Sequence, residues 1–184
     1  LSSFYFDIRK DSLYCDSLDA PKRKSTVIFL NILLEILLKW FAPILSFTTE
    51  EIYRLVKIDS KKSIHLESFP DIPAKWNNKK LEIKWMELIK IRETCNSSIE
   101  LKRASKEIGS SLEASLIIKL QDQLLDLTKD VDFSELCITS GAKVEKNNSS
   151  EINVETLKAE GQKCSLCWKI KKNKCERKNH CGLV

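Results

Sequence analysis

Val27-Ile-Phe-Leu-Asn31-Ile-Leu-Leu-Glu35-Ile-Leu-Leu-Lys39-Trp40 is the most apolar run of the chain, and its reading decides the fold. Its polar positions, Asn31, Glu35 and Lys39, recur at every fourth residue, which on a helix draws one polar stripe along an otherwise apolar cylinder. The run is long enough to raise a membrane span, but Glu35 and Lys39 inside it and Pro43 beyond it are costly in hydrocarbon. Lys22 to Trp40 is therefore read as a central helix of a bundle in water.

Composition agrees with a helical chain. Its 184 residues are 42% hydrophobic, and only four glycines and four prolines stand among 31 Lys+Arg and 26 Asp+Glu. A net charge of +5 is modest, so partners are judged from where charge clusters. Seven cysteines is an odd number, and Cys15, Cys95 and Cys137 stand singly in apolar patterns, which is usage for a reducing, cytoplasmic compartment. Leu1-Ser-Ser-Phe-Tyr-Phe-Asp7 has no secretory pattern, and a start without methionine in mid-helix reads as a fragment of something longer.

Outward from the central helix, residues 1–20 place Phe4, Ile8, Leu13 and Cys15 on one side of a helix ending between Asp16 and Pro21. Thr48-Thr-Glu-Glu51 fits a capping box that starts a helix through Ile52, Leu55 and Val56. Ser63 to Pro70 is predicted extended, and Asp71-Ile-Pro73 loop. A long helix is expected from Lys79 to Lys106 with Leu81, Trp85, Leu88, Ile89, Arg92 and Cys95 on one face and Ile99 and Leu101 after them, stopping at Gly109. Ser110 to Leu120 reads as a strand, Gln121 to Lys129 as a short helix, Asp132 to Glu145 as a second strand and Ile152 to Ala159 as a third. The fold class is mainly α with a small α/β part. In order this gives a helical bundle over 1–75, a long connecting helix over 76–109, a small α/β unit of three strands over 110–160 and a cysteine-rich module over 161–184.

That module, Lys163-Cys-Ser-Leu-Cys-Trp-Lys169 through Cys175-Glu-Arg-Lys-Asn-His-Cys181, carries the chemistry. Cys164 and Cys167 have the two-residue spacing that grips a tetrahedral ion from a tight turn. Cys175 and Cys181 are candidates to close a structural zinc site, with His180 as the alternative to one of them. A disulfide pair or idle thiols are the plainer readings. Lys169, Lys171, Lys172, Lys174, Arg177 and Lys178 lie among these cysteines and more than offset the charge of about minus two on a zinc with four thiolates. Trp168 beside them either stacks on an unpaired base or plugs the module from beneath. A second, weaker basic zone is Arg9 and Lys10 with Lys22, Arg23 and Lys24. Glycines at 109, 141, 161 and 182 form no phosphate loop, His65 is expected to be a satisfied structural histidine, and no catalytic residue is assigned.

Ser3-Phe-Tyr-Phe-Asp-Ile-Arg-Lys-Asp-Ser-Leu-Tyr-Cys-Asp16 resembles the start of the anticodon-binding bundle of bacterial isoleucyl-tRNA synthetases. Ala42-Pro-Ile-Leu-Ser-Phe-Thr-Thr-Glu-Glu-Ile52 and Ser63-Ile-His-Leu-Glu-Ser-Phe-Pro70 are similar to the following turn, helix and segment of class I synthetases for aliphatic amino acids. Ile91-Arg-Glu93 with Leu101 to Ala114 looks like the junction helix, and Gly161-Gln-Lys-Cys-Ser-Leu-Cys-Trp168 like the C-terminal zinc module. The family's second pair is a C-x2-C after a longer loop, from which Cys175 and Cys181 depart. The resemblance implies a large enzyme that charges tRNA(Ile) with isoleucine, edits valine, and uses ATP and Mg²⁺ in a catalytic core upstream of this chain. The chain would be its tRNA-reading end, monomeric, inert alone and without a membrane partner. The corresponding part of valyl- or leucyl-tRNA synthetase, or a helical protein-interaction scaffold with a zinc knuckle, are the alternatives.

Overall fold

The computed structural model describes residues 2–57, 62–147, 149 and 151–173. These are mostly helical, with one three-stranded sheet and one two-stranded hairpin. They fall into two compact units, one from Leu18–Asn77 and the other from Leu1–Ser17 together with Asn78–Val184. The first helical turns thus group with the sheet, far along the sequence.

In Leu18–Asn77, helices α2 (Pro21–Phe41) and α3 (Ser46–Val56) pack together. Pro21 opens α2 at a position whose N–H would have no helical partner. Leu38, Ala42, Tyr53 and Ile64 form a small core, with Leu34 and Ile52 against it. The polar stripe of α2 is put to use, because the Lys39 ammonium lies 3.3 Å from Glu35 and 3.4 Å from Glu67. Burial alone would lower the pKa of Lys39, but hydrogen bonds to Glu35 and Glu67 outweigh it and hold the pKa above its ordinary value. Among the described residues, Val27, Ile28, Phe29, Ile32, Trp40 and Phe41 remain exposed, and no helix is long and apolar enough to cross a membrane.

The capping box expected at Thr48–Glu51 does not form. Helix α3 begins at Ser46 without a side-chain cap, and the Thr49 hydroxyl donates back to the Leu45 carbonyl at 2.9 Å. Glu50 accepts instead from the Ser63 hydroxyl and the Ile64 N–H, both at 2.9 Å. It thereby satisfies an orphan donor at the start of a 3₁₀ turn, Ile64–Leu66, in the stretch expected to be extended. His65 is tied to the backbone there, its Nε2 lying 3.2 Å from the Ser46 carbonyl oxygen.

The larger unit is built on α4 (Lys79–Ala104), capped by Asn78, whose side-chain oxygen accepts from the Leu81 N–H at 3.0 Å. Leu88, Ile91, Cys95 and Ile99 are its buried stripe. Strand β1 (Ala114–Leu120) buries Ala114, Leu116, Ile118 and Leu120 in strict alternation into the same core. It is the middle strand, parallel to β2 (Gly141–Lys146) and antiparallel to β3 (Asn153–Lys158), with Ile118 opposite both Val144 and Val154. Parallel neighbours need a crossover, which α5 (Asp122–Thr128) and α6 (Phe133–Leu136) supply. A π-helical turn, Ser2–Phe6, leads into α1 (Asp7–Cys15), which buries Ile8 in this core. Phe4 meets Trp85 edge-on at 6.0 Å under the Arg92 guanidinium, and Arg9 bonds Glu135 at 2.7 Å. Cys95 and Cys137 are buried side by side, and their hydrogen bond, with burial second, pushes the Cys95 thiol far above its ordinary range.

Sequence periodicity fails here at three places. The strand predicted over Asp132–Glu145 is interrupted, because Asp132 accepts from the Ser134 N–H at 2.9 Å and the Glu135 N–H at 3.3 Å and nucleates α6. Burial would raise the Asp132 pKa, yet the Ser134 hydroxyl first, then these two N–H bonds, hold it below its usual value, and Ile138 at φ 55° then turns the chain toward β2. On α4, Leu81, Ile89 and Leu101 are exposed while Ile91 is buried. The helix ends at Ala104, ahead of Gly109, and Ser111–Glu113 is a 3₁₀ turn before β1.

The Arg54 hydrogen bond, then Ile64 N–H and Ser63, hold Glu50 down at about 2, from an ordinary value of 4.5. Its stabilising effect is thus present above about pH 4.5 and is lost as pH falls through about 2. In circular dichroism melts between about pH 5 and pH 2, Glu50→Gln is expected to lose melting temperature less steeply than the unmodified chain. Parallel profiles would remove this role for Glu50.

Candidate nucleic-acid interface

A short hairpin carries the cysteine pair. Strands β4 (Gln162–Lys163) and β5 (Ile170–Lys171) pair antiparallel, Gln162 opposite Lys171 and Lys163 opposite Ile170. Gly161 enters at φ 133°, where a Cβ would collide with the Lys171 backbone, so only glycine serves. Between the strands the Cys164 N–H donates to the Lys169 carbonyl and the Trp168 N–H to the Cys164 carbonyl, both at 3.0 Å. This closure brings Cys164 and Cys167 onto one tight turn, as chelation of a single ion by a two-residue spacing requires.

The described residues hold no group of three or more His, Cys, Asp or Glu that could bind a metal ion. Cys164 and Cys167 are thus two of the candidate ligands, at chelating spacing in the sequence. The remaining candidates, Cys175, His180 and Cys181, lie outside the described residues, as do Lys174, Arg177 and Lys178.

The hairpin is fastened to the sheet-bearing unit at Ser140. Its hydroxyl accepts from the Ile170 N–H at 2.6 Å and donates to the Leu112 carbonyl, joining β5 to the entry of β1. From the other end of the chain, the Cys15 thiol on α1 reaches the Leu166 carbonyl at 3.9 Å. Trp168 does not plug the turn from beneath: it is 60% exposed, with the Lys163 ammonium 5.7 Å from its ring centre. Its backbone sits at φ 60°, a region where a bulky side chain is strained.

Sequence reasoning grouped Arg9 and Lys10 with Lys22, Arg23 and Lys24, which belong to two different compact units. Lys10 lines one crevice with Lys169 and Trp168, whereas Lys22, Arg23 and Lys24 belong to the Leu18–Asn77 unit. Arg9 is engaged by Glu135, Lys24 by Asp19 at 2.8 Å and Lys172 by Glu160 at 2.7 Å. Tyr14, Asp7 and Asp11 share the crevice and were missed, since nothing in the sequence links α1 to a turn at the opposite end of the chain.

The sequence profile of one family, described as the anticodon-binding domain of tRNA ligase, matches residues 1–118. Among curated relatives, an isoleucine–tRNA ligase of Pelagibacter ubique (strain HTCC1062) is 63% identical over 177 residues, covering 96% of this chain and 19% of that protein. The isoleucine–tRNA ligase of Bradyrhizobium diazoefficiens is 41% identical over 181 residues, covering 92% of this chain and 18% of its own length. That of Agrobacterium fabrum is likewise 41% identical over 181 residues, with 92% and 19% covered. The chain therefore spans about a fifth of the length of these relatives.

Ser140→Ala removes the acceptor that anchors Ile170, a loss of about 1 kcal/mol. Hydrogen exchange followed by NMR is expected to show the Ile170 amide exchanging roughly fivefold faster, with Thr156 in β3 unchanged. Equal acceleration at both amides would mean that the hairpin is not separately anchored.

Proposed function

The chain belongs to the family of anticodon-binding domains of tRNA ligases, and from that premise we propose that it is the tRNA-reading end of an isoleucine–tRNA ligase. The observation that carries this is 63% identity to such a ligase along 96% of the chain. In this reading residues 1–109 cradle the anticodon stem and loop, 110–160 are the junction unit, and 161–184 are a zinc module that secures the anticodon side. Ligation of isoleucine to tRNA(Ile), with ATP and Mg²⁺, belongs to the rest of a longer, monomeric, cytoplasmic polypeptide. Ile28 on α2 and Phe47 and Leu55 on α3 are exposed large apolar side chains.

Lys10, Lys169 and Lys171 supply phosphate contacts, joined by Lys22, Arg23 and Lys24 from the other unit and by Lys172, Lys174, Arg177 and Lys178 near the C-terminus. Arg9 is assigned a positioning role, since its guanidinium already holds Glu135. Zinc bound by Cys164 and Cys167, with Cys175 and Cys181 or His180, would lock the turn that presents Trp168, in a structural role only.

Binding of a tRNA(Ile) anticodon stem-loop, measured by fluorescence anisotropy, is expected to weaken on the order of a hundredfold between about 50 and 200 mM salt, as four or five phosphate contacts require. Absent or salt-insensitive affinity would overturn the proposal, and the second result would favour a protein partner.

For the metal, one equivalent of zinc is expected in the purified chain and loss of it in Cys164→Ser and in Cys167→Ser, read by atomic absorption. Retention in Cys175→Ser or Cys181→Ser, with loss in His180→Ala, would assign His180 as the ligand.

A further inference from the structure

Resting on the tRNA-binding proposal, we infer that Glu135 limits how tightly the chain holds RNA, by keeping the Arg9 guanidinium out of the phosphate contacts. Arg9 stands on α1 beside Lys10 in the weaker basic zone, so charge alone would count it among the phosphate-binding residues. Its Nη1 instead donates to Glu135 Oε1 at 2.7 Å.

Burial separates this pair from the other ion pairs of the basic residues. Lys172 with Glu160 and Lys24 with Asp19 are open to water, their side chains 74% and 79% exposed in the first pair and 56% and 93% in the second. Pairs of that kind contribute little and are screened by salt, so both lysines can leave for a phosphate at small cost. In the Arg9–Glu135 pair the side chains are only 32% and 17% exposed. Drawing the guanidinium away would take it from a carboxylate that is mostly out of water, and that cost opposes any phosphate bond Arg9 could gain.

The carboxylate cannot follow. Glu135 lies on α6 between two ties: Asp132 accepts from the Ser134 and Glu135 N–H groups at its start, and Arg92 Nε donates to the Leu136 carbonyl at 2.9 Å at its end. On the other side, Ile8, next to Arg9, is buried in the core. Both partners are thus set in place by contacts other than their own bond. A phosphate contact strengthens binding to every RNA alike, so a withheld guanidinium lowers the sequence-independent part of the affinity and leaves base contacts to supply more of the discrimination.

The test uses the whole chain and a tRNA(Ile) anticodon stem-loop, and reads the slope of log affinity against log salt by fluorescence anisotropy between about 50 and 200 mM, below the melting temperature of every variant. Glu135→Gln is expected to steepen the slope by about one phosphate contact and to bind several-fold tighter. Glu135→Ala, which offers Arg9 no acceptor, is expected to steepen it at least as much. A stem-loop of unrelated sequence should gain as much as the cognate one, because the added contact is to the backbone. In the double variant Arg9→Gln/Glu135→Gln, which keeps the net charge, slope and affinity should return to those of the unmodified chain. Glu160→Gln makes the same change of charge at an open pair, and its slope should move much less.

A pair that only ties α1 to α6 would leave the slope unmoved in both Glu135 variants, and that result overturns the inference. So does a double variant shallower than the unmodified chain by about one contact, since Arg9 would then already reach a phosphate. Equal steepening in Glu160→Gln would assign the effect to net charge and overturns it as well. Each of these results leaves the tRNA-binding proposal standing. If the unmodified chain shows no salt-sensitive affinity for the stem-loop, both fall together.

Discussion

Leu88, Ile91, Cys95 and Ile99 of α4 face the inward row of β1, Ala114, Leu116, Ile118 and Leu120, and all eight are essentially sealed from water. Everything else in the larger unit depends on that contact. Because β1 is the middle strand, its inward row fixes the register of both β2 and β3. The Ser98 hydroxyl, on α4 between Cys95 and Ile99, lies 2.7 Å from the Thr156 hydroxyl and ties α4 to the outer strand β3. Truncation of any one large aliphatic in this interface would cost about 2–5 kcal/mol, a large part of the stability of an ordinary domain.

The same packed layer explains how two distant stretches come to share one site. Helix α1 is held to it by Ile8, by Phe4 against Trp85 and by Arg9 on Glu135, and the cysteine hairpin is held by Ser140 at the entry of β1. Each is anchored separately to the core, and the Cys15 thiol meets the Leu166 carbonyl between them. The crevice is thus a by-product of two independent attachments.

Two of the local misreadings involve a carboxylate. Thr48–Glu51 and Asp132–Glu145 have the pattern of a cap and of a strand, yet Glu50 and Asp132 each find backbone N–H partners that the pattern does not reveal. A carboxylate that can satisfy two donors outcompetes a weak periodic preference, whichever element results. On α4 the error has another origin. Its apolar residues run on more than one side, so Leu81, Ile89 and Leu101 were as plausible for the core as Ile91, and only the position of β1 selected among them.

Periodicity alone determined α2 and the existence of α4, because a helix is written in spacings of three and four residues that need no distant partner. The sequence alone also placed Cys164 and Cys167 on one turn and, through its likeness to known synthetases, marked the family to which the chain belongs. The tertiary structure decided that β1 lies between β2 and β3, that the first helix joins the sheet, and that Trp168 stands exposed over a crevice shared with Tyr14 and Lys10. The strand order rests on pairings between separate segments, and the placement of the first helix on contacts more than a hundred positions apart, such as Arg9 with Glu135. Local spacing carries no record of such contacts, since which surfaces meet is settled only when the whole apolar core is buried at once.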